Sequence, residues 1–247
     1  MRLMLLWLAA ATVGDLPLVR TVPLTGATHH VQGIDFDETR LWVTSVDPSA
    51  RKGYLLLFSL PGGELLRTVE IGTGDRFHPG GMARDGDSLW IPVAEYRRNS
   101  SATIQRRNAQ TLELEFQFEV SDHIGCVAAG PDVLVGGNWD SRKFYLWDRS
   151  GKLQRTVDNP TPNGYQDIKF AEGRLVGGGV LPGKTGAIDW LEYPSFRLLR
   201  RMEAGRTSRG VPYTNEGMAV RGNRLLLLPE DAPSRLFEFR LPGGPVQ

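Results

Sequence analysis

Val31-Gln32-Gly33-Ile34-Asp35 is followed, eight residues after Gly33, by Leu41-Trp42-Val43-Thr44, and this pair of apolar runs returns four more times along the chain. Gly81-Met82-Ala83 leads to Leu89-Trp90-Ile91-Pro92, and Gly125-Cys126-Val127 leads to Val133-Leu134-Val135-Gly136. Asp167-Ile168-Lys169 leads to Leu175-Val176-Gly177-Gly178, and Gly217-Met218-Ala219 to Leu225-Leu226-Leu227-Leu228. The offset is eight each time. The anchors Gly33, Gly81, Gly125, Asp167 and Gly217 are spaced by 48, 44, 42 and 50 residues. A period of about 40–50 residues matches a four-stranded propeller blade.

Each unit has the same interior. Two short apolar runs flank a tight turn such as Asp37-Glu38-Thr39-Arg40 or Asp85-Gly86-Asp87-Ser88, which reads as a strand pair. A third run follows, as in Tyr54-Leu55-Leu56-Leu57-Phe58, and then a fourth, as in Leu65-Leu66-Arg67-Thr68-Val69. No stretch keeps a 3.6-residue apolar period, so helix is expected to be minimal. The last unit stops after its third strand. Its fourth is expected from the other end of the chain, where Leu18-Val19-Arg20-Thr21-Val22 repeats the Arg-Thr-Val of Arg67-Thr68-Val69 and Arg155-Thr156-Val157. The reading is an all-β protein, a five-bladed β-propeller spanning residues 15–247, its last blade closed by the amino-terminal strand.

The bulk composition narrows the partners. In 247 residues, 29 Lys plus Arg meet 28 Asp plus Glu, a net charge of +1, so no global field favours nucleic acid. Cys126 is the one cysteine, which excludes an intramolecular disulfide and a cysteine-based zinc cage. Leu3 to Gly14 carries no charge and is too short to span a bilayer, which needs roughly 20 apolar residues. With Arg2 before it and Ala9-Ala10-Ala11 within it, residues 1–14 read as a secretory signal peptide. The expectation is a periplasmic or secreted monomer without a membrane span. Gly178 to Thr185 matches the phosphate-loop pattern, but an apolar strand follows where that loop needs a helix, so nucleotide binding is not expected.

In a propeller the first strand of each blade lines the central channel, so residues just before the anchors gather at one mouth. Immediately before them stand Gln32, Gly80, Ile124, Gln166 and Glu216. One step back are Val31, Pro79, His123, Tyr165 and Asn215, and one further His30, His78, Asp122, Gly164 and Thr214. This collar of His, Gln, Asn and Glu is the expected binding site for a small polar molecule or peptide end, with His30, Gln32, His78, His123, Gln166 and Asn215 as ligand contacts. The alternative is that these groups satisfy loop backbones or channel waters. Asp167, which replaces glycine at an anchor, reads either as one of a carboxylate pair with Glu216 in which one pKa is raised, suited to acid-base work or to holding a cation, or equally as a single satisfied Asp. Glu216, Asp167 and Glu95 are the candidate catalytic acids. A second set of polar residues, Asp47, Glu95, Asn138, Asp140, Glu230 and Asp231, closes the second strands and reads mainly as loop caps and partners for nearby arginines.

At the collar the sequence resembles secreted bacterial β-propellers, among them the five-bladed glutaminyl cyclotransferases. The residues that carry it are Val31-Gln32-Gly33-Ile34 followed by Leu41-Trp42-Val43-Thr44-Ser45, similar to that family's first blade. Where that family has an Asn-Glu pair in a middle blade, this chain has His123-Ile124-Gly125 and Tyr165-Gln166-Asp167. Asn215-Glu216-Gly217-Met218-Ala219 is similar to the Glu-Gly opening of gluconolactonase-like metal propellers. That second resemblance implies a divalent cation such as Ca²⁺ on Glu216. The resemblances therefore imply a transferase of the cyclotransferase kind or a metal-dependent hydrolase or lactonase using Glu216. A protein-interaction scaffold is the remaining reading, and the whole is similar to an uncharacterised family related to both.

Overall fold

The structure is a computed structural model and describes residues 12–242. Among these, the first blade runs β2 (His30–Phe36), β3 (Arg40–Asp47), β4 (Lys52–Ser59) and β5 (Leu65–Glu70), after an opening strand β1 (Leu18–Pro23). The second holds β6 (Arg76–Pro79), β7 (Ala83–Asp85), β8 (Ser88–Glu95), β9 (Ala102–Asn108) and β10 (Leu114–Val120). The third is β11 (Ile124–Ala129), β12 (Leu134–Asn138), β13 (Lys143–Trp147) and β14 (Leu153–Asp158). The fourth is β15 (Gly164–Ala171), β16 (Arg174–Val180), β17 (Gly186–Glu192) and β18 (Leu198–Glu203). The fifth is β19 (Glu216–Arg221), β20 (Arg224–Pro229) and β21 (Arg235–Arg240), and β1 completes it in the order β1-β21-β20-β19. The ring is a five-bladed propeller closed by its amino-terminal strand, with Arg20 opposite Glu238 and donating to its carboxylate at 2.7 Å. Closure of this kind leaves no open edge between first and last blades.

The inner strands are apolar on both faces because each blade is packed between two others. Among the described residues five hydrophobic clusters result, such as the one where Trp42 and Leu55 of the first blade meet Met82, Leu89 and Ile91 of the second. Outer strands β5 and β14 are mostly exposed. Gly86, Gly173 and Gly222 take φ of +57°, +73° and +55° in equivalent hairpin turns, a conformation that costs glycine little. No described helix is long and apolar enough to cross a membrane. Val13 is fully buried among the fourth- and fifth-blade residues, so the ring's packing reaches back before Asp15. The rest of the expected leader, residues 1–11, lies outside the described residues.

Two expectations are corrected at the inner strands. The anchors Gly33, Asp167 and Gly217 each pair with the residue eleven positions on, Thr44, Gly178 and Leu228. In the third blade that relation belongs to Cys126 and Gly137, while Gly125 is bulged out between Ile124 and Cys126. The third blade therefore starts one residue later than the sequence reading has it, and His123, like His30 and His78, stands three residues before its anchor. In the second blade the inner strand is not continuous. Gly81 donates to the Gly125 carbonyl and accepts from Val127 N, both at 2.9 Å, pairing with the next blade instead of its own. A Cβ at Gly80 would collide with the Gly125 carbonyl, so close approach of the two backbones requires glycine there.

Candidate functional site

The axis of the ring is filled by one ion pair. Asp167 Oδ2 accepts from the backbone N–H of Ile34 at 3.0 Å and of Met218 at 3.2 Å, reaching the first and fifth blades at once. Its other oxygen holds the Lys169 ammonium, which also donates to the Met82 carbonyl of the second blade at 2.7 Å. Both side chains are buried. Burial raises the Asp167 carboxyl to about 7, opposed by Lys169 and the two backbone N–H groups. Further from the collar, Asp35 accepts from Arg84 N at 2.7 Å and from the Arg221 guanidinium at 2.9 Å. Asp167 is thus engaged by Lys169 and the backbone of two strands, β2 and β19, and the partners of Glu216 lie elsewhere.

At the collar, Glu216 opens β19 and His30 opens β2. His30 Nε2 lies 3.4 Å from Glu216 Oε1 and 3.2 Å from Glu230 Oε2. The hydrogen bond to Glu216 raises the His30 pKa against its own burial. Burial raises the carboxyl of Glu216, with His30 opposing. Glu216 takes φ of +112°, a region L-residues rarely enter. The reason is visible in the register. In the first and fourth blades the residue before the anchor, Gln32 or Gln166, is a bulge that drops out of the pairing. In the fifth blade Glu216 stays paired with Pro229, and the backbone turns at Glu216 itself.

Across the mouth, His78 Nε2 lies 3.0 Å from Gln32 Oε1, while Gln32 Nε2 donates to the Val31 carbonyl at 3.1 Å. The amide oxygen therefore accepts, Nε2–H of His78 donates, and Nδ1 carries the lone pair. That Nδ1 is buried and has no hydrogen-bond partner. Burial, then the charges of His123 and His30, push the His78 pKa down to about 3, so the ring is neutral near pH 7. Tyr96 meets His78 edge-on at 4.5 Å, His123 lies 5.4 Å from it, and Trp139 meets His123 at 4.5 Å. Burial and then the charges of Glu216 and Glu230 raise the Tyr96 hydroxyl, so the aromatic and acidic sides share one mouth.

Of the expected residues, His30, Gln32, His78, His123 and Glu216 come together here. Gln166 and Asn215 are half-buried at the same level, and the Asn215 carbonyl accepts from Glu230 N at 3.0 Å. Glu95 turns away: its Oε1 accepts from Ser101 N and Oγ, and its Oε2 from Arg97. Asp47 caps its own turn through Ser49 and Ala50, and Asp231 is taken by Arg209 and Arg235. Of these second-strand acids, Glu230 alone faces His30. The sequence reading does not single out Tyr96 or Trp139, although they directly follow Glu95 and Asn138, two of the residues it flags.

A family model described as a family of unknown function (DUF6454) matches residues 19–165. The chain belongs to that family. Among solved structures, the glutaminyl cyclase of Myxococcus xanthus superposes with a TM-score of 0.69 at 16% identity, covering 91% of this chain and 95% of that one. The WD40 domain of Pan2 from Neurospora crassa gives 0.52 at 11% identity, over 81% of this chain and 56% of that one. These likenesses show the propeller fold. In sequence, the chain is 28% identical over 151 residues to the tetracenomycin polyketide synthesis 8-O-methyl transferase TcmO of Streptomyces glaucescens. That stretch is 57% of this chain, which spans 41% of the transferase.

Proposed function

We propose that members of this kind bind a small polar molecule or peptide end, one that offers an N–H donor, at the collar of the ring. The observation that carries the reading is His78 Nδ1, a buried acceptor without a partner, at the mouth where Glu216 holds a buried carboxylate on a strained backbone. An unsatisfied buried acceptor costs about 1–3 kcal/mol, which a ligand N–H recovers. Backbone strain of this sort gathers at ligand sites because surrounding structure must hold it in place. Tyr96 and Trp139 supply ring faces, and Glu216 and Glu230 supply the acidic side. A glutaminyl cyclase built on a ring of nearly the same extent supports a peptide amino-terminal end as the first ligand to try.

The test is a thermal-shift panel of free dipeptides, amino-acetylated dipeptides and small amides on wild type and His78→Phe, which keeps a ring but removes the acceptor. At least one member should stabilise the wild type and lose most of that effect in the variant. Equal shifts in both proteins, or none in the wild type, would end the reading. A second reading, catalysis with Glu216 as the proton carrier, is favoured by its burial at the strained position facing the mouth. Turnover of glutaminyl dipeptides by wild type but not by Glu216→Gln supports it. Export is part of the proposal on the strength of the apolar opening of the sequence, and amino-terminal sequencing of the mature protein decides it.

A further inference from the structure

We infer that His30, Glu216 and Glu230 form a binding site for a divalent transition-metal ion of the zinc class, with a fourth position left to the mouth. The three ligand atoms lie within 4.8 Å of one another. The two separations from His30 Nε2, 3.4 and 3.2 Å, are those of neighbouring ligands around such an ion, since tetrahedral bonds of about 2.0–2.2 Å place ligand atoms about 3.4 Å apart. The nitrogen ligand argues against calcium, which takes six to eight oxygens at longer range. One imidazole between two carboxylates also leaves the group a charge short. Among the described residues, the charges that act on Glu216 are those of His30 and Glu230. By contrast Glu95 has Arg97, and Asp231 has two arginines. A dication with a neutral imidazole and two carboxylates closes the balance.

The ligands sit on fixed parts of the ring. His30 and Glu216 are the first residues of two adjacent inner strands, and Glu230 directly follows β20, held by its N–H to the Asn215 carbonyl. Glu216 is buried at the floor, and Glu230, with its side chain 47% exposed, leaves an entry from solvent. His78, with its unpartnered buried Nδ1, feels the charge of His30 from across the mouth. It offers an acceptor for a proton on whatever takes the fourth position, water or the N–H-bearing ligand. The inference rests on the proposed ligand reading for that occupant alone, and the metal site stands or falls on its own.

Calorimetric titration of the chelator-treated full chain with zinc chloride and with calcium chloride tests it. One Zn²⁺ per chain is expected, bound at least tenfold more tightly than Ca²⁺. His30→Gln and Glu230→Gln should each weaken Zn²⁺ at least tenfold, whereas His29→Gln, a histidine paired with Asp47, should leave it within twofold. Glu230→Gln alters an exposed side chain, so it remains decisive if His30→Gln misfolds. Zinc affinity unchanged in Glu230→Gln, calcium bound as tightly as zinc, or loss in His29→Gln each overturns the site. Running the peptide panel with and without zinc separates the two ideas. Peptide binding with no zinc site sinks the metal alone, and zinc binding with no peptide effect sinks the ligand reading alone.

Discussion

The hub and the collar are built from the same inner strands, a few residues apart, and they handle buried polarity in opposite ways. At the hub, Asp167 and Lys169 are buried and satisfied, spending their donors and acceptors on the backbones of neighbouring blades. At the collar, His78 keeps an unpartnered nitrogen, Glu216 holds a strained φ, and His30 lies between two carboxylates. A satisfied network of this kind specifies one arrangement of the blades. An unsatisfied one is tolerated only where something else completes it. A buried, raised carboxyl is therefore a poor guide to function by itself. Asp167 and Glu216 are both buried and raised, and what separates them is whether their partners belong to the fold.

The hub should show the larger effect. Asp167→Ala leaves the Lys169 ammonium buried without its counter-charge and two backbone N–H groups without an acceptor, a loss of about 3–5 kcal/mol. Replacing both members, Asp167→Ala with Lys169→Met, should recover part of it, because the uncompensated charge is gone. Urea denaturation of the three proteins measures this. A loss below about 1 kcal/mol for the single variant would remove the distinction between hub and collar.

The collar should instead betray itself through pH. His78 titrates at about 6.5 in an unfolded chain and at about 3 in the fold, where burial and then the charges of His123 and His30 hold it neutral. Gln32, Tyr96, His123 and Trp139 surround it, and among them no carboxylate makes a contact with its ring. As pH falls below 6.5 the unfolded state takes up a proton that the folded state refuses, so stability is lost between pH 6.5 and 3. The slope from this one group is up to about 1.4 kcal/mol per pH unit. Between pH 6.5 and 5 the stability gap between wild type and His78→Phe should therefore shift by about 2 kcal/mol in favour of the variant. A gap that does not move with pH would mean that His78 is already hydrated or already charged.

Blade number and the location of the collar were legible because both rest on a repeated offset, and closure by the opening strand because Arg20-Thr21-Val22 repeats the Arg-Thr-Val of two fourth strands. That offset could not detect the slip in the third blade. Gly125 and Val133 move together by one residue, so the spacing stays eight while the paired anchor is Cys126. The histidines held the missing clue. Aligning His123 with His30 and His78 yields the observed register at once. The partner of Asp167 was also readable, since Asp167 and Lys169 are two apart on one strand and so share a face. Tyr96 and Trp139 were not, because they come from connections whose path no strand period fixes.

The smallest effect has the most informative sign. At φ of +112° any L-residue is strained by about 1–3 kcal/mol, and glycine is not, although its greater freedom in the unfolded chain offsets about 0.5–1 kcal/mol of the relief. Glu216→Gly also removes a carboxyl whose burial already works against its charged form. The variant should therefore be more stable than wild type by about 1 kcal/mol in urea, while losing whatever the collar binds. Hub residues allow no such trade, because every substitution at Asp167 breaks bonds that hold blades together. If Glu216→Gly instead destabilises the ring, the carboxylate belongs to the fold and the collar becomes a second hub. If it stabilises, the strain at Glu216 is retained for a reason other than folding, and the mouth of the channel is where that reason acts.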